Sequence, residues 1–164
     1  MFKSFIFIIM AMFLVSCSST TPRHKAKPKI FQSVNKKEAI LVKNDKVVGY
    51  CYICGNDLKK YYKTNHIARE HSKEFQYCSI HCLAKHVSTG IKLGNIGVVD
   101  TNSLKFIQVS KAYYVVGSSV PGTNTKVSKY AFSSIEEAIE FRRNLGGRVF
   151  NFNKAFAVAK EDFK

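Results

Sequence analysis

The sequence predicts an α+β protein with two small strand-strand-helix halves, which follow a leader and a flexible linker. Short runs rich in Val, Ile, Tyr and Phe are bounded by turn residues, as is typical of strands. Each half also contains a segment with helical periodicity, and glycine follows that segment. The first 35 residues differ, because one apolar run is followed there by a polar and basic stretch. The similar order of elements in the two halves suggests a divergent duplication.

Residues 1–16 have the pattern of a secretory signal peptide. Lys3 makes the start basic, and the apolar run at 5–15 is shorter than the roughly 20 residues that a membrane-spanning helix needs. Residues 14–17, Leu-Val-Ser-Cys, resemble the lipobox of bacterial lipoproteins, which makes Cys17 the lipidated first residue of the mature chain. Stable anchoring needs more than one acyl chain, such as palmitate. An ordinary signal peptide followed by a coincidental cysteine is the alternative.

Residues 17–35 have the composition of a tether, since Ser, Thr, Pro and basic residues dominate them. Such a segment buries little surface, and we expect it to be extended or disordered. Ser18 and Ser19 do not resemble an inner-membrane retention signal. We therefore expect a lipid-anchored protein of the cell envelope, attached to the outer membrane and facing the periplasm.

The formal net charge of +15 would suit nucleic acid or an acidic surface. A secreted lipoprotein does not meet nucleic acid where it works, so we expect no nucleic-acid partner. The lysines are scattered along the chain, which indicates mainly a solvated surface. Attraction to an acidic protein or to anionic lipid stays open.

Residues 36–95 form the predicted cysteine-rich, metal-binding half. Apolar runs and turn signals alternate in this half. A helix is expected to begin at the second pair of cysteines. The predicted elements are strands at 39–42, 47–50, 60–67 and 74–77, a turn at 44–45, a tight turn at 51–57, a loop at 69–73, and a helix that opens at 78–79 and ends at Gly90.

Residues 96–164 form the predicted second half. Ser134 and Glu137 have the spacing of a capping box, and the pair Gly146-Gly147 ends the helix that it begins. The predicted elements are strands at 97–100, 106–109, 112–117, 127–132 and 148–152, the capped helix between 134 and 145, and a terminal helix around 155–159.

Four cysteines follow Cys17, and they form two close pairs. Cys51 and Cys54 have the spacing C-x2-C on a predicted turn, while Cys78 and Cys82 have the spacing C-x3-C at a predicted helix start. Two such pairs can converge on one ion with four sulfur ligands. Thiolates are soft ligands that suit Cu(I) and Zn. The spacing therefore predicts a metal site.

Two other interpretations of the cysteines stay open. An oxidising compartment and a small chain would also suit two structural disulfides. A redox-active pair formed by Cys51 and Cys54 is the third possibility. A thioredoxin-like fold would place such a pair between a strand and a long helix, whereas turn and strand signals follow it here.

Histidines near the cysteines are candidate further ligands. His86 follows Cys82 by four residues, so one helical turn brings both to the same side. His81 directly precedes Cys82 and is the second candidate. Whether His66 or His71 binds an ion stays open.

The sequence contains no motif that indicates catalysis. It has no nucleophile elbow, no glycine-rich phosphate loop and no H-E-x-x-H. Acidic residues are few, and Glu136, Glu137 and Glu140 belong to the start and face of one predicted helix. We therefore predict that the chain is not an enzyme.

Several segments together resemble the NosL family, the accessory copper-binding lipoproteins of nitrous-oxide reductase. Cys-Tyr-Ile-Cys-Gly at 51–55 is followed by a basic-aromatic stretch at 59–63. The strand Ala-Tyr-Tyr-Val-Val-Gly-Ser at 112–118 and the Phe132 that precedes a helix with a Gly-Gly stop are similar as well. The resemblance covers roughly residues 47–155, and it makes 96–164 a NosL-like half. Separately, 77–82 resembles the end of treble-clef metallochaperone domains.

The resemblance implies an envelope protein that binds Cu(I) and passes it to a copper enzyme such as nitrous-oxide reductase. It maps the first ligands to Cys51 and Cys54. Asn56 stands where the family has a methionine, and all three methionines lie in the leader. Cys78 and Cys82 would complete an all-thiolate site, which suits Zn as well as Cu(I).

Three functional hypotheses follow from these patterns. The first is a copper chaperone or accessory protein with a copper-accepting partner. The second is a structural Zn(Cys)4 lipoprotein that acts as a protein-interaction module. The third is a thiol-disulfide redox protein.

Overall fold

The computed structural model describes residues 30–43 and 48–163. The predicted signal peptide, Cys17 and most of the predicted linker lie outside these residues, as does the predicted turn at 44–45. Within the described ranges, no helix combines the length and the apolar character that crossing a membrane requires.

The described residues form two antiparallel sheets and three α-helices, which confirms the α+β class. One sheet has the strand order β2-β1-β3-β4 and the other has the order β6-β5-β7. The strands are β1 (His66–Glu70), β2 (Lys73–Tyr77), β3 (Gly94–Val99), β4 (Phe106–Gln108), β5 (Tyr113–Val116), β6 (Lys129–Phe132) and β7 (Arg148–Phe150), and the helices are α1 (Ile80–Val87), α2 (Ile135–Leu145) and α3 (Phe152–Glu161).

The two sheets share one topology. In each of them the first strand lies in the centre, the second pairs on one side, a helix follows, and the strand after the helix pairs on the other side. The unit β1-β2-α1-β3 thus corresponds to β5-β6-α2-β7. This shared order agrees with the hypothesis of a divergent duplication. Strand β4 and helix α3 are additions to the repeated unit.

The first sheet extends further along the chain than the predicted half does. Strands β3 and β4 were expected in the second half, but β3 pairs with β1 and β4 pairs with β3, so the change of sheet falls after Gln108. The end of the predicted linker is also attached to the fold. Gln32 is buried and donates a hydrogen bond of 2.6 Å to the Pro121 carbonyl, and the Phe31 ring lies 5.2 Å from that of Tyr130.

The predicted strand at 60–67 is wrong in its first part. Tyr62–Thr64 is a 3-10 helix, and the strand begins only at His66. The Asp57 carboxylate accepts hydrogen bonds from the backbone N–H groups two and three residues further on. Such local bonds favour successive turns over an extended strand. The hairpin turn is also shorter than the predicted loop at 69–73, since β1 and β2 pair as far as Glu70 and Lys73.

The predicted strands at 39–42 and 47–50 do not form in the described residues. Backbone N–H groups in the first of these segments donate to side chains instead of to a neighbouring strand. The Ile40 N–H donates to the Tyr62 hydroxyl at 3.0 Å, and the Val42 N–H donates to Gln76 Oε1 at 2.9 Å. Tyr50 makes one isolated bridge, with Asp57.

Side-chain caps define where helices α2 and α3 begin. Ser134 Oγ accepts the N–H groups of Glu136 and Glu137, which confirms the predicted start of α2. Asn151 Oδ1 accepts the Lys154 N–H at 3.0 Å, so α3 begins at Phe152. The predicted strand at 148–152 therefore ends at residue 150.

A shared core joins the two halves. Helices α1 and α3 pack together, and alanines at their contact allow a close approach. The buried His66 of β1 adds a polar link, because its Nε2 lies 3.1 Å from the Tyr114 hydroxyl of β5. Its Nδ1 lies 3.0 Å from the Thr64 carbonyl. The neutral ring can thus donate to Thr64 and accept from Tyr114, which satisfies both nitrogens without a charge.

Acid is expected to destabilise the fold through His66. Burial lowers the pKa of this ring to about 4, from 6.5. The unfolded chain therefore takes up the proton first as the pH falls, so the stability is complete above about 6.5 and is lost between there and about 4. We expect the free energy of unfolding to fall by roughly 2–3 kcal/mol between pH 7.5 and 4.5 in urea titrations followed by circular dichroism.

The matched variants are His66→Gln and His71→Gln. Burial also lowers the pKa of His81 and His86, so the difference between variants isolates His66. His66→Gln should remove most of the decrease, and the exposed turn variant His71→Gln should keep it. An equal decrease in all three proteins would contradict the assignment.

Candidate metal centre

The first cysteine pair lies on a tight turn that its own backbone closes. The Gly55 N–H donates to the Cys51 carbonyl at 2.9 Å, and the Cys51 N–H donates to the Asn56 carbonyl at 2.8 Å. Gly55 has φ +72°, in the left-handed region that a side chain disfavours. The turn therefore places the Cys51 and Cys54 sulfurs on one side.

The second pair lies where β2 passes into α1. Cys78 directly follows the strand, and Ser79 is the N-cap of the helix. The Cys82 N–H points to Ser79 Oγ at 3.5 Å, so Cys82 sits in the first helical turn. The start of the helix thereby holds the Cys82 sulfur 3.7 Å from that of Cys78.

The fold brings all four sulfurs together. The Sγ atoms of Cys51, Cys54, Cys78 and Cys82 all lie within 4.8 Å of one another. Cys78 Sγ lies 3.5 Å from Cys54 Sγ and 3.7 Å from Cys82 Sγ. A tetrahedral ion with metal–sulfur bonds of ~2.3 Å separates its sulfurs by about 3.8 Å. The side chains therefore fit a single four-coordinate ion with little rearrangement.

All four are free thiols in this structure. The two short sulfur–sulfur distances are well above the ~2.05 Å of a disulfide bond. The four cysteines could therefore hold one metal ion, as their spacing predicts.

One edge of the site is open. Cys54 is exposed, whereas Cys51, Cys78 and Cys82 are buried and belong to a core cluster with residues such as Leu58. The side of Cys54 is therefore the one from which a partner ligand would approach an ion held here.

The four thiols differ in the direction in which their surroundings shift the pKa. Hydrogen bonds from Cys51, and then from Cys78 and Cys82, lower the pKa of the Cys54 thiol. The contact with Cys54 raises the pKa of Cys51, but the contacts with Cys78 and Cys82 together outweigh it and lower that pKa to about 7. Contacts with Cys51 and Cys54 raise the pKa of Cys78 and of Cys82. These contacts favour the thiolate form at Cys51 and Cys54 and the thiol form at Cys78 and Cys82.

An asparagine from the other half contacts the sulfurs. Asn124 Nδ2 lies 3.1 Å from Cys54 Sγ, 3.4 Å from Cys78 Sγ and 3.5 Å from Cys82 Sγ. Sequence reasoning missed this residue, because the surrounding segment indicates only a turn. Asn56, singled out where the family has a methionine, donates to Asn124 Oδ1 at 3.0 Å.

Neither His81 nor His86 belongs to the group of residues whose side chains are close enough to share one metal ion, which consists of the four cysteines. His86 Nδ1 lies 2.8 Å from the Tyr77 hydroxyl, and its ring packs on Tyr52. His81 Nδ1 lies 3.9 Å from Asp162. Both side chains therefore have other neighbours, and their role as ligands stays a prediction. The sequence left undecided whether His66 or His71 binds an ion. His66 is buried in the core, and His71 is in the turn between β1 and β2.

The fold and the sulfur cluster together define a small α+β protein with a candidate metal site. Comparison with known proteins agrees with this class. The profile of the NosL family matches residues 42–156, and the chain belongs to that family.

A solved structure has the same fold. The crystal structure of the copper chaperone NosL from Shewanella denitrificans superposes with a TM-score of 0.55 at 21% sequence identity. The match covers 73% of this chain and 96% of that one. No curated protein sequence gives a significant match.

Proposed function

We propose that the chain is a Cu(I)-binding lipoprotein that delivers its ion to a copper-accepting protein of the cell envelope. The observation that carries the proposal is the cluster of four free thiols with one exposed member, Cys54. Soft thiolates favour Cu(I). Membership of the NosL family and the fold shared with a copper chaperone support copper as the cargo.

Delivery would proceed by ligand exchange at the open edge. A thiol or thioether of the partner approaches the ion beside Cys54, which is exposed and leaves first. The buried sulfurs of Cys78 and Cys82 hold the ion until the partner has supplied further ligands. The chain changes no covalent bond of a substrate in this cycle, so it acts as a carrier and not as an enzyme.

Cys17 would place this carrier at the membrane. Its lipid anchors the chain, and the linker gives the folded part reach, so the outer membrane facing the periplasm is the proposed location. A copper enzyme such as nitrous-oxide reductase is the recipient that the family resemblance supports.

A structural zinc site is the second candidate, and one observation favours it. Cys51, Cys78 and Cys82 are buried in a core cluster together with Leu58 and Tyr77. An ion at such a position can stabilise the fold itself. The chain would then act through its surface, as a module that binds a partner protein.

Metal analysis with a competition titration separates the two functions. We expect the protein, purified under reducing conditions without its leader and Cys17, to bind one Cu(I) per chain and to release it to a competing chelator. The emptied protein should keep its circular dichroism spectrum. One zinc ion that Cu(I) cannot displace, with unfolding on chelation, would favour the structural site instead. Two disulfides and no metal would contradict both.

A further inference from the structure

The amide of Asn124 covers the open edge of the sulfur cluster. Its Nδ2 lies 3.1–3.5 Å from three sulfurs, those of Cys54, Cys78 and Cys82. An amide nitrogen carries two hydrogens, so the three sulfurs share two donors. Asn124 is exposed, as is Cys54, while Cys78 and Cys82 are buried, so the amide lies on the solvent side of the two buried sulfurs.

The loop of Asn124 is held on both sides. Thr123 is buried, and its Oγ1 lies 2.9 Å from Thr64 Oγ1, which lies 2.7 Å from the Cys78 carbonyl. On the other side, Thr125 Oγ1 donates to Asp162 at 2.6 Å. Asn124 has φ +56°, a conformation that asparagine tolerates better than most residues. These contacts position the amide above the cluster.

A second amide sets the orientation of the first. Asn56 Nδ2 donates to Asn124 Oδ1 at 3.0 Å and lies 3.8 Å from Cys78 Sγ. Because Oδ1 is occupied in this way, Nδ2 is the atom that faces the sulfurs. Donors directed at thiolates make charge-assisted hydrogen bonds, which are stronger than neutral ones.

We infer that Asn124 is a positioning residue that closes the sulfur site and slows the exchange of its ion. The N–H···S bonds hold Cys54, Cys78 and Cys82 in place, and the amide must swing aside before a partner's ligand reaches the ion. The part of this inference that concerns ion exchange rests on the proposed function. The second half of the fold thus controls a site whose ligands all come from the first half.

The test compares two rates in the full chain as purified from the producing cells. The first is alkylation of the metal-free Cys54 by iodoacetamide, followed by mass spectrometry of its peptide, at a pH where the thiol is fully ionised and the rate reports access. The second is release of Cu(I) to an excess of chelator. We expect Asn124→Ala to raise both rates about tenfold, which corresponds to ~1.4 kcal/mol.

Two further variants sharpen the test. Asn95 is an exposed asparagine with φ +48°, so Asn95→Ala removes a similar residue from a similar conformation and should leave both rates within twofold. Asn56→Ala removes the orienting bond without altering the loop, and it should raise both rates about threefold. This variant decides the question if Asn124→Ala does not fold.

The outcomes separate the inference from the proposed function. If the wild-type chain binds Cu(I) and either rate in Asn124→Ala stays within twofold of wild type, the inference is overturned. If the wild-type chain binds no Cu(I), the proposed function fails, and the alkylation rate alone then decides whether Asn124 covers Cys54.

Discussion

Replacing Cys78 by serine is expected to weaken Cu(I) binding roughly a thousandfold, or about 4 kcal/mol. Cys78 is fully buried, and its sulfur has a neighbouring sulfur at 3.5 Å and another at 3.7 Å. The substitution removes one of four ligands and leaves a hydroxyl, which is a hard and poor ligand for Cu(I). A competition titration against a chelator of known affinity measures the change.

Cys54→Ser is the matched comparison, since it removes the exposed sulfur of the same cluster. Three buried sulfurs remain and can still hold Cu(I), so we expect a smaller loss of affinity, roughly tenfold to a hundredfold. The rate of Cu(I) transfer to a second protein should fall by a larger factor than the affinity for Cu(I). Equal losses in Cys54→Ser and Cys78→Ser would indicate a closed site and would support the structural zinc alternative.

Replacing Asp162 by alanine is expected to destabilise the fold by about 2–3 kcal/mol. Lys129 Nζ lies 2.8 Å from the Asp162 carboxylate, and only 1% of the Lys129 side chain is exposed. Removing the carboxylate leaves a buried ammonium without its ion partner, which costs more than the loss of a surface pair. Urea unfolding followed by circular dichroism measures the effect.

Two controls accompany this substitution. The double variant Lys129→Met, Asp162→Ala removes both charges and should recover most of the lost stability, because a buried pair is often replaceable by apolar groups. Glu140→Ala removes an exposed carboxylate and should change the free energy of unfolding by less than about 0.5 kcal/mol. A loss in the double variant as large as in Asp162→Ala would show that the charge is not the cause.

Elements whose signals are local were predictable. The capping residues around Ser134 act within one helical turn, so their pattern in the sequence is also their contact in the structure. The same holds for the helix that opens at Ser79. The strand predicted at 60–67 failed for a related reason, since the Asp57 carboxylate bonds to nearby amides and its effect outweighs the apolar pattern.

The candidate site was predictable in its four cysteines but not in its surroundings. The spacing of Cys51, Cys54, Cys78 and Cys82 indicated one four-sulfur cluster, which the structure contains. The approach of Asn124 was not visible, because it joins residues far apart in the chain through a contact between the two halves.

The sequence by itself determined the α+β class, the two close pairs of cysteines and the pattern of the leader, since each of these depends on residues near one another. Only the tertiary structure decided which sulfur is exposed, which half supplies the amide cover, and that Asp162 neutralises Lys129. Those properties depend on distances between separate elements. Such distances arise when the two sheets and helices α1 and α3 pack into one core, and no local pattern encodes them.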